Sequence, residues 1–304
     1  MVEKQDIIKG LKQIGLKAND IVLVHSAMRT FGPINDGART VVTALREILA
    51  ENGTLVVPTF TFKHEAKKDP IIDPTKDLSE MGIITETVRR LPGSQRSITY
   101  RHSVAAIGPE ASVITEVDPE LCVFDLDSSF GKMLELNSKV LILGMTYQTS
   151  TSHHFAEYIC QVPYRHTVPV LARIRQPDGS LVRQGMTDYQ PLPSKDGKYY
   201  GREPDFNRLG NILEERGLVG ITAIGNAIVR LFRMRDLIEL AKMKVRKDHN
   251  IFRARQSGKK TLLKDGQIVL SPVLQDGAGR PVRYEWDVVD PEGIFSSARQ
   301  KSIE

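Results

Sequence analysis

Residues 21–60 read IVLVHSAMRTFGPINDGARTVVTALREILAENGTLVVPTF, and this stretch decides the fold. It opens with a short apolar strand that ends in His25 and Ser26. Gly32, Pro33 and Gly37 then break the chain into a loop. A helix runs through RTVVTALREILAE and stops at Asn52-Gly53, a common C-terminal signal. TLVVPTF is the next strand, apolar up to Pro58. Strand, loop, helix and strand make one βαβ unit, which predicts parallel strands joined by a right-handed crossover.

The alternation continues on both sides. Ile7, Ile8, Leu11, Ile14 and Leu16 follow a helical period. After the unit, residues 63–80 form a long polar loop broken by Pro70 and Pro74. GIITETVRRL reads as a helix, SVAAIG as a strand, ASVITEV and GKMLEL as helices, and KVLILG as a strand. Beyond Pro169, alternating residues flank Pro177-Asp178-Gly179 and predict a β-hairpin. DFNRLGNILEERG is a further helix. GITAIGNAIVRLFRMRDLIELAKMKV supplies a strand and a helix starting near Met234. KTLLKDGQIVLS and PVRYEWDVVD are strand-like. The expected architecture is α/β, a mainly parallel sheet flanked by helices. Residues 1–246 form one domain, and 247–304 a small β-rich C-terminal extension packed on it.

Chemistry is concentrated in residues 140–164, VLILGMTYQTSTSHHFAEYICQVPY. A buried strand ends at Gly144, a Ser/Thr-rich loop follows, and Thr151 or Ser152 can cap a helix beginning HHFAEY. His154 and Glu157 are three apart and share one helix face. A carboxylate fixes the tautomer of an imidazole and raises its basicity, as a general base requires. Open α/β sheets bind ligands at this edge, outside the carboxyl ends of their strands. Such a pair also describes an ordinary surface contact. Adjacent His153 points about 100° away on a helix, so the two histidines do not make a metal site, and the HExxH spacing is absent.

Composition narrows the classes. No apolar run approaches a membrane span, and the amphipathic start lacks a signal-peptide core. Two cysteines, Cys122 and Cys160, are too few for a disulfide framework and point to a reducing cytoplasm. Net charge is +5, which suits an anionic partner such as a nucleic acid or a phosphate-bearing co-substrate. A nucleic-acid-binding module is the reading from a different class, resting on the basic C-terminal third. No recognition-helix, zinc or RNA-binding signature supports it.

Six blocks in order resemble the aminoglycoside 3-N-acetyltransferase family, of the antibiotic N-acetyltransferase type. They are VLVHSAMRTFGPINDGARTVVTALREILAENGTLVVPTFTF, DPTKDLSEMGIITETVRRLPGSQRS, HSVAAIGPEA, SSFGKMLELNSKVLILG, TSHHFAEY with VPYR, and PDFNRLGNILEERG with IGNAIVRL. Thr99 and Tyr100 stand where the family usually has His-Pro, and the tail beyond about Lys247 exceeds the family core.

The resemblance implies direct acetyl transfer from acetyl-CoA to an amine, the 3-amino group of an aminoglycoside, with another amino sugar or biosynthetic amine as the variant. His154 maps to the family's base and Glu157 to its partner carboxylate. The loop at residues 26–37 joins a strand to a helix, so its free N–H groups suit phosphate or pantetheine oxygens. Arg29 is the candidate for a phosphate, Gly32 permits close approach, and Ser26, Thr30 and Phe31 suit the pantetheine arm. Arg96 and His102-Ser103-Val104 match a block beside the family's cofactor. His25 reads as a core histidine. Acidic loop residues Asp69, Asp73, Asp77, Glu80, Asp125 and Asp127 are candidates for a polyamine acceptor, with Asp73 foremost because it matches a family Asp-Pro. The expected partner is a small-molecule amine, with no nucleic acid, membrane or metal, and an oligomeric state of monomer or homodimer.

Overall fold

The structure is a computed structural model that describes residues 1–64, 67, 69–192 and 204–254, and the backbone of strands Lys259–Lys264 and Gln267–Pro272. The expected strand at 281–290 and most of the extension at 247–304 lie outside the described residues.

The first helix, α1 (Lys4–Gln13), starts at a capping box in which Glu3 and Asp6 satisfy each other's backbone N–H groups. Strand β1 (Ile21–Ser26), helix α2 (Gly37–Leu49) and strand β2 (Thr54–Pro58) form the expected βαβ unit, and β1 pairs parallel with β2. Next come β3 (Ile71–Ile72), α3 (Ile83–Arg89), β4 (Gln95–Arg96), β5 (Val104–Ile107), α4 (Ala111–Thr115), α5 (Ser129–Glu135), β6 (Lys139–Leu143) and α6 (Thr151–Ile159). A long hairpin, β7 (Arg165–Arg175) and β8 (Leu181–Pro191), turns at the expected Pro177-Asp178-Gly179. Helix α7 (Asn207–Glu215), strands β9 (Val219–Ile224) and β10 (Ala227–Arg233), and helix α8 (Met234–Val245) follow.

Seven strands form one sheet in the order β4-β5-β2-β1-β6-β10-β9. The α/β class holds, but the expected mainly parallel sheet is parallel only at its centre, where β1 pairs with β2 and β6. Both flanks are antiparallel. On one flank the cause is local. Residues 220–233, expected as a single strand, break at Gly225-Asn226, and Gly225 has φ +57. Two residues can join only antiparallel neighbours.

Strand side chains alternate between two cores, as period two demands. Val22, Val24, Leu55, Val57, Leu141 and Leu143 face α1, α2 and α3. Leu23, Val56, Val140, Ile142 and Phe232 face α5, α6 and α8. Ile251 and Phe252, past α8, are buried in this second core. The hairpin and β3 make a separate three-stranded sheet. Tyr100, one of the two residues departing from the family pattern, packs there with Ile72, Ala172 and Met186.

Two buried features have consequences for stability. Arg230, 1% exposed, donates from Nε to Glu214 Oε1 at 2.9 Å and from Nη1 to the Met145 carbonyl at 3.0 Å. Removing one partner of a buried ion pair strands the other charge, at a cost of about 3–5 kcal/mol. Arg230→Ala should therefore lower the unfolding free energy in urea by that amount, and a loss below about 1 kcal/mol, the range of exposed pairs, would show the pair to be dispensable.

The second feature is a set of histidines held neutral. Burial, then the neighbouring His154 and His25, lowers the pKa of His153 to about 3; burial alone lowers that of His25 to about 4. His25 is thus the core histidine expected, although its Nε2 has no hydrogen-bond partner in the protein. With a folded pKa below the unfolded value, the unfolded chain binds more protons, so stability rises with pH and is lost as pH falls through about 6.5. Each such group costs about 1.4 kcal/mol per pH unit below that value. His153 lies against Phe206, at 5.2 Å between ring centroids, and against Tyr147. His153→Phe should flatten the decline in urea midpoint between about pH 7.5 and about pH 5; parallel wild-type and variant profiles would show that His153 takes up its proton in the fold.

Candidate active site

The site begins where β6 ends. Gly144 has φ +68, and a Cβ there would lie 1.8 Å from Thr30 Oγ1. Only glycine meets both conditions, so the chain turns sharply and passes beside the loop after β1. Thr146 Oγ1 accepts from Gln148 N and caps a single turn at Tyr147–Thr149. Tyr147 is anchored by its hydroxyl, which donates to Glu214 Oε1 at 3.0 Å. Gly210 on α7 makes room for the Tyr147 ring, which a Cβ would meet at 2.1 Å. Helix α6 then starts at Thr151 and carries both expected residues on one face.

His154 Nδ1–H donates to Glu157 Oε2 at 2.6 Å. That bond selects the tautomer that leaves the Nε2 lone pair free. Glu157 is buried, and Arg165 Nη1 lies 3.7 Å from the same oxygen. The Phe206 ring stands edge-on to the imidazole at 4.7 Å. Burial and the Arg165 charge lower the His154 pKa; the Glu157 hydrogen bond and charge raise it, and the net shift is downward. His154 is therefore an uncharged base at neutral pH.

The pair opens on a cavity of about 420 Å³. Phe60, Phe62 and His102 form one side, residues 148–151 and Phe206 another, and Tyr164, Arg165 and Arg253 a third. Ser150 Oγ is buried on this wall and has no protein partner. Its position at the start of α6 coincides with the positive end of the helix dipole.

Of the other expected residues, only His102 reaches this cavity. It packs between Phe60 and Phe124, and burial, then Arg101, holds its pKa well below the ordinary value. Ser103 is buried and bonds Thr59, and Val104 is core. Arg96 is a brace: Nη1 donates to the carbonyls of Pro74 and Asp77, Nη2 to the Thr59 carbonyl and Thr61 Oγ1, and Nε to Ser103 Oγ. These donors are spent on the fold. Asp73 Oδ1 caps the turn at Thr75 and Lys76, and Oδ2 lies 3.2 Å from Arg175, so this carboxylate is committed away from the cavity. The other five acidic candidates are also absent from the cavity wall. In the loop at 26–37, Phe31 is 1% exposed in the core, Thr30 bonds the Ala27 carbonyl, Ser26 ends β1, and Arg29 is exposed. Among the described residues no group of three His, Cys, Asp or Glu is placed to hold a metal ion, and no helix is long and apolar enough to cross a membrane.

Tyr164, Arg165 and Arg253 line the site without having been singled out. The first two lie in the VPYR segment of the family-like blocks, where nothing local marks either residue as lining a cavity. Arg253 sits in a basic run that reads as solvated surface.

A family model described as aminoglycoside 3-N-acetyltransferase matches residues 23–246. Aminoglycoside N(3)-acetyltransferase IV of Salmonella sp is 30% identical over 249 residues, covering 82% of this chain and 89% of the relative. The SPbeta prophage-derived aminoglycoside N(3')-acetyltransferase-like protein YokD of Bacillus subtilis (strain 168) is 28% identical, covering 78% and 90%. Among solved structures, the apoenzyme of aminoglycoside acetyltransferase AAC(3)-IVa matches with a TM-score of 0.67 at 30% identity, over 84% of this chain and 92% of that one. AAC-IIIb, solved as a binary complex with CoASH, matches with a TM-score of 0.71 over 83% and 98%; at 23% identity that likeness is one of fold.

Proposed function

Because the chain belongs to the aminoglycoside 3-N-acetyltransferase family, we propose that it moves an acetyl group from acetyl-CoA directly to an amine, the 3-amino group of an aminoglycoside, with His154 as general base. The observation that carries this reading is the 2.6 Å His154–Glu157 pair on the wall of the largely apolar cavity. Acetyl-CoA supplies the activated carbonyl. His154 Nε2 takes the proton from the attacking nitrogen and returns it to the departing sulfur, so no protein nucleophile is needed. Glu157 stabilises the imidazolium formed in between. The Ser150 hydroxyl and the start of α6 face the negative charge that develops on the carbonyl oxygen. Arg165 disfavours a protonated amine beside it and so raises the fraction able to attack.

For the donor we assign the loop at 26–37, at the carboxyl edge of the same sheet. Arg29, exposed there, meets a phosphate, and Gly32, with φ +78, lets the backbone approach it. The 247–304 extension is assigned as an addition to this catalytic domain. Free Cys122 and Cys160 fit a reducing cytoplasm.

Incubation with acetyl-CoA and a panel of amines, followed by free-thiol release, tests the reaction. Losing a positioned base costs about 100- to 10,000-fold, so His154→Ala should reduce kcat by that factor and leave coenzyme A binding intact. The wild-type kcat/KM should rise with pH through a group below about 6.5. Glu157→Gln removes the interaction that raises this pKa, so its acid limb should move to still lower pH while the plateau falls less than in His154→Ala. An unmoved limb would uncouple Glu157 from the base. For the donor loop, calorimetry should show weaker coenzyme A binding by Arg29→Glu, and unchanged affinity would take Arg29 out of the phosphate site.

A further inference from the structure

Among the described residues, the wall around His154 carries three guanidinium groups and one carboxylate, Glu157. Glu157 is already engaged, at 2.6 Å by His154 and 3.7 Å by Arg165. Arg101 is held by Asp188 at 2.9 Å. No carboxylate on this described wall is left for a cationic ligand. Donors are more numerous on it than acceptor carboxylates. Tyr164 is 5% exposed, and its hydroxyl, on the cavity wall beside the Glu157 carboxylate, makes no hydrogen bond of ordinary geometry in the protein. Arg165 donates from Nη2 to the Tyr189 carbonyl and lies over the Tyr189 ring, but its buried Nε has no partner. Arg253 is 7% exposed, and its guanidinium lies 4.3 Å over the Tyr164 ring. Its backbone is fixed as well. Arg253 bridges Pro204, and Arg208 Nη1 donates to its carbonyl.

Buried donors without partners are costly unless a ligand satisfies them, and arginine beside a phenol suits a carboxylate or phosphate. We propose that this cavity takes a further class of acceptor, amines that also carry a carboxylate or phosphate, with the anion held by Arg165, Tyr164 and Arg253. The inference rests on the acetyl-transfer reading. The anion belongs to the acceptor and not to coenzyme A, because Arg165 is within one side chain of the base. In coenzyme A the whole pantetheine arm separates the phosphates from the sulfur. Arg253 lies past the 23–246 segment that the family model matches, so this subsite draws on a residue outside that segment.

Calorimetry on the full chain, with coenzyme A at saturation, tests the subsite. The probes are glucosamine, glucosamine 6-phosphate, glucosaminuronic acid and apramycin. A charge-assisted, desolvated contact predicts that at least one anionic probe binds about tenfold or more tightly than glucosamine. That ratio should fall toward one in both Arg165→Gln and Arg253→Gln, while coenzyme A affinity stays unchanged. Each ratio is taken within one protein, so partial misfolding of a variant cancels. Equal binding of glucosamine and both anionic probes overturns the proposal. A parallel loss of coenzyme A affinity in the variants also overturns it, by moving the arginines to the donor's phosphates. Thiol release from acetyl-CoA is followed in the same panel. Its absence with every amine counts against the acetyl-transfer reading, while the binding ratios still decide the subsite.

Discussion

The position of helix α6 depends on one buried cation. Arg230 projects from β10, an antiparallel neighbour of β6, and holds both the Met145 carbonyl and Glu214. Glu214 in turn receives the Tyr147 hydroxyl. The loop leaving β6 is thereby tied to β10 and to α7 within a few residues of the point where α6 begins. A polar loop over a sheet edge would ordinarily sample many conformations. Here a charge that cannot be left unpaired, and a glycine at 144 that no other residue can replace, restrict it to one path. His154 inherits its place from that path.

The facing wall is organised by a second arginine. Arg96 gathers carbonyls from the end of β2 and from the long loop after it. Burial, then Arg89, brings its pKa down to about 10, still far above neutrality, so it stays charged and must keep its acceptors. Fastening the loop this way fixes the chain around Phe60 and Phe62, which close the cavity beside His102. Both walls thus rest on buried charges that have no part in the chemistry proposed.

The fold was legible where periodicity was strong. The βαβ unit, the helices and the hairpin at Pro177-Asp178-Gly179 appear at the expected places, because short-range patterns determine them. Strand direction at the flanks was not legible. It depends on which strand ends meet, and the Gly225-Asn226 turn was hidden inside an apolar run that reads as one strand. At the site, the His154–Glu157 spacing predicts a contact that the helix duly makes. The brace at Arg96 and the capping role of Asp73 were out of reach, since an arginine or aspartate looks the same in sequence whether its partner is a carbonyl or a ligand. Arg253 was the least legible. It is almost a hundred residues from His154 in the chain, and nothing local distinguishes it from its basic neighbours.

Among the described residues, the charge balance of the cavity wall follows from its single carboxylate, Glu157. Glu157 has two cationic neighbours to serve, one of which must stay uncharged to act as a base. Burial first, and then the fixed charge of Arg165, which repels a second proton on His154, settle this competition in favour of a neutral imidazole. Both leave the imidazole uncharged at neutral pH, as the proposed mechanism requires, though they weaken it as a base. Arg165 also leaves the described wall without surplus negative charge, which is why the same residue bears on the proposed acceptor as well as on the proton. In a wall with a second, uncommitted carboxylate, the imidazolium would be favoured and a polycation would be drawn in. In this wall, Arg165 contributes both to the neutrality of the imidazole and to the anion affinity proposed.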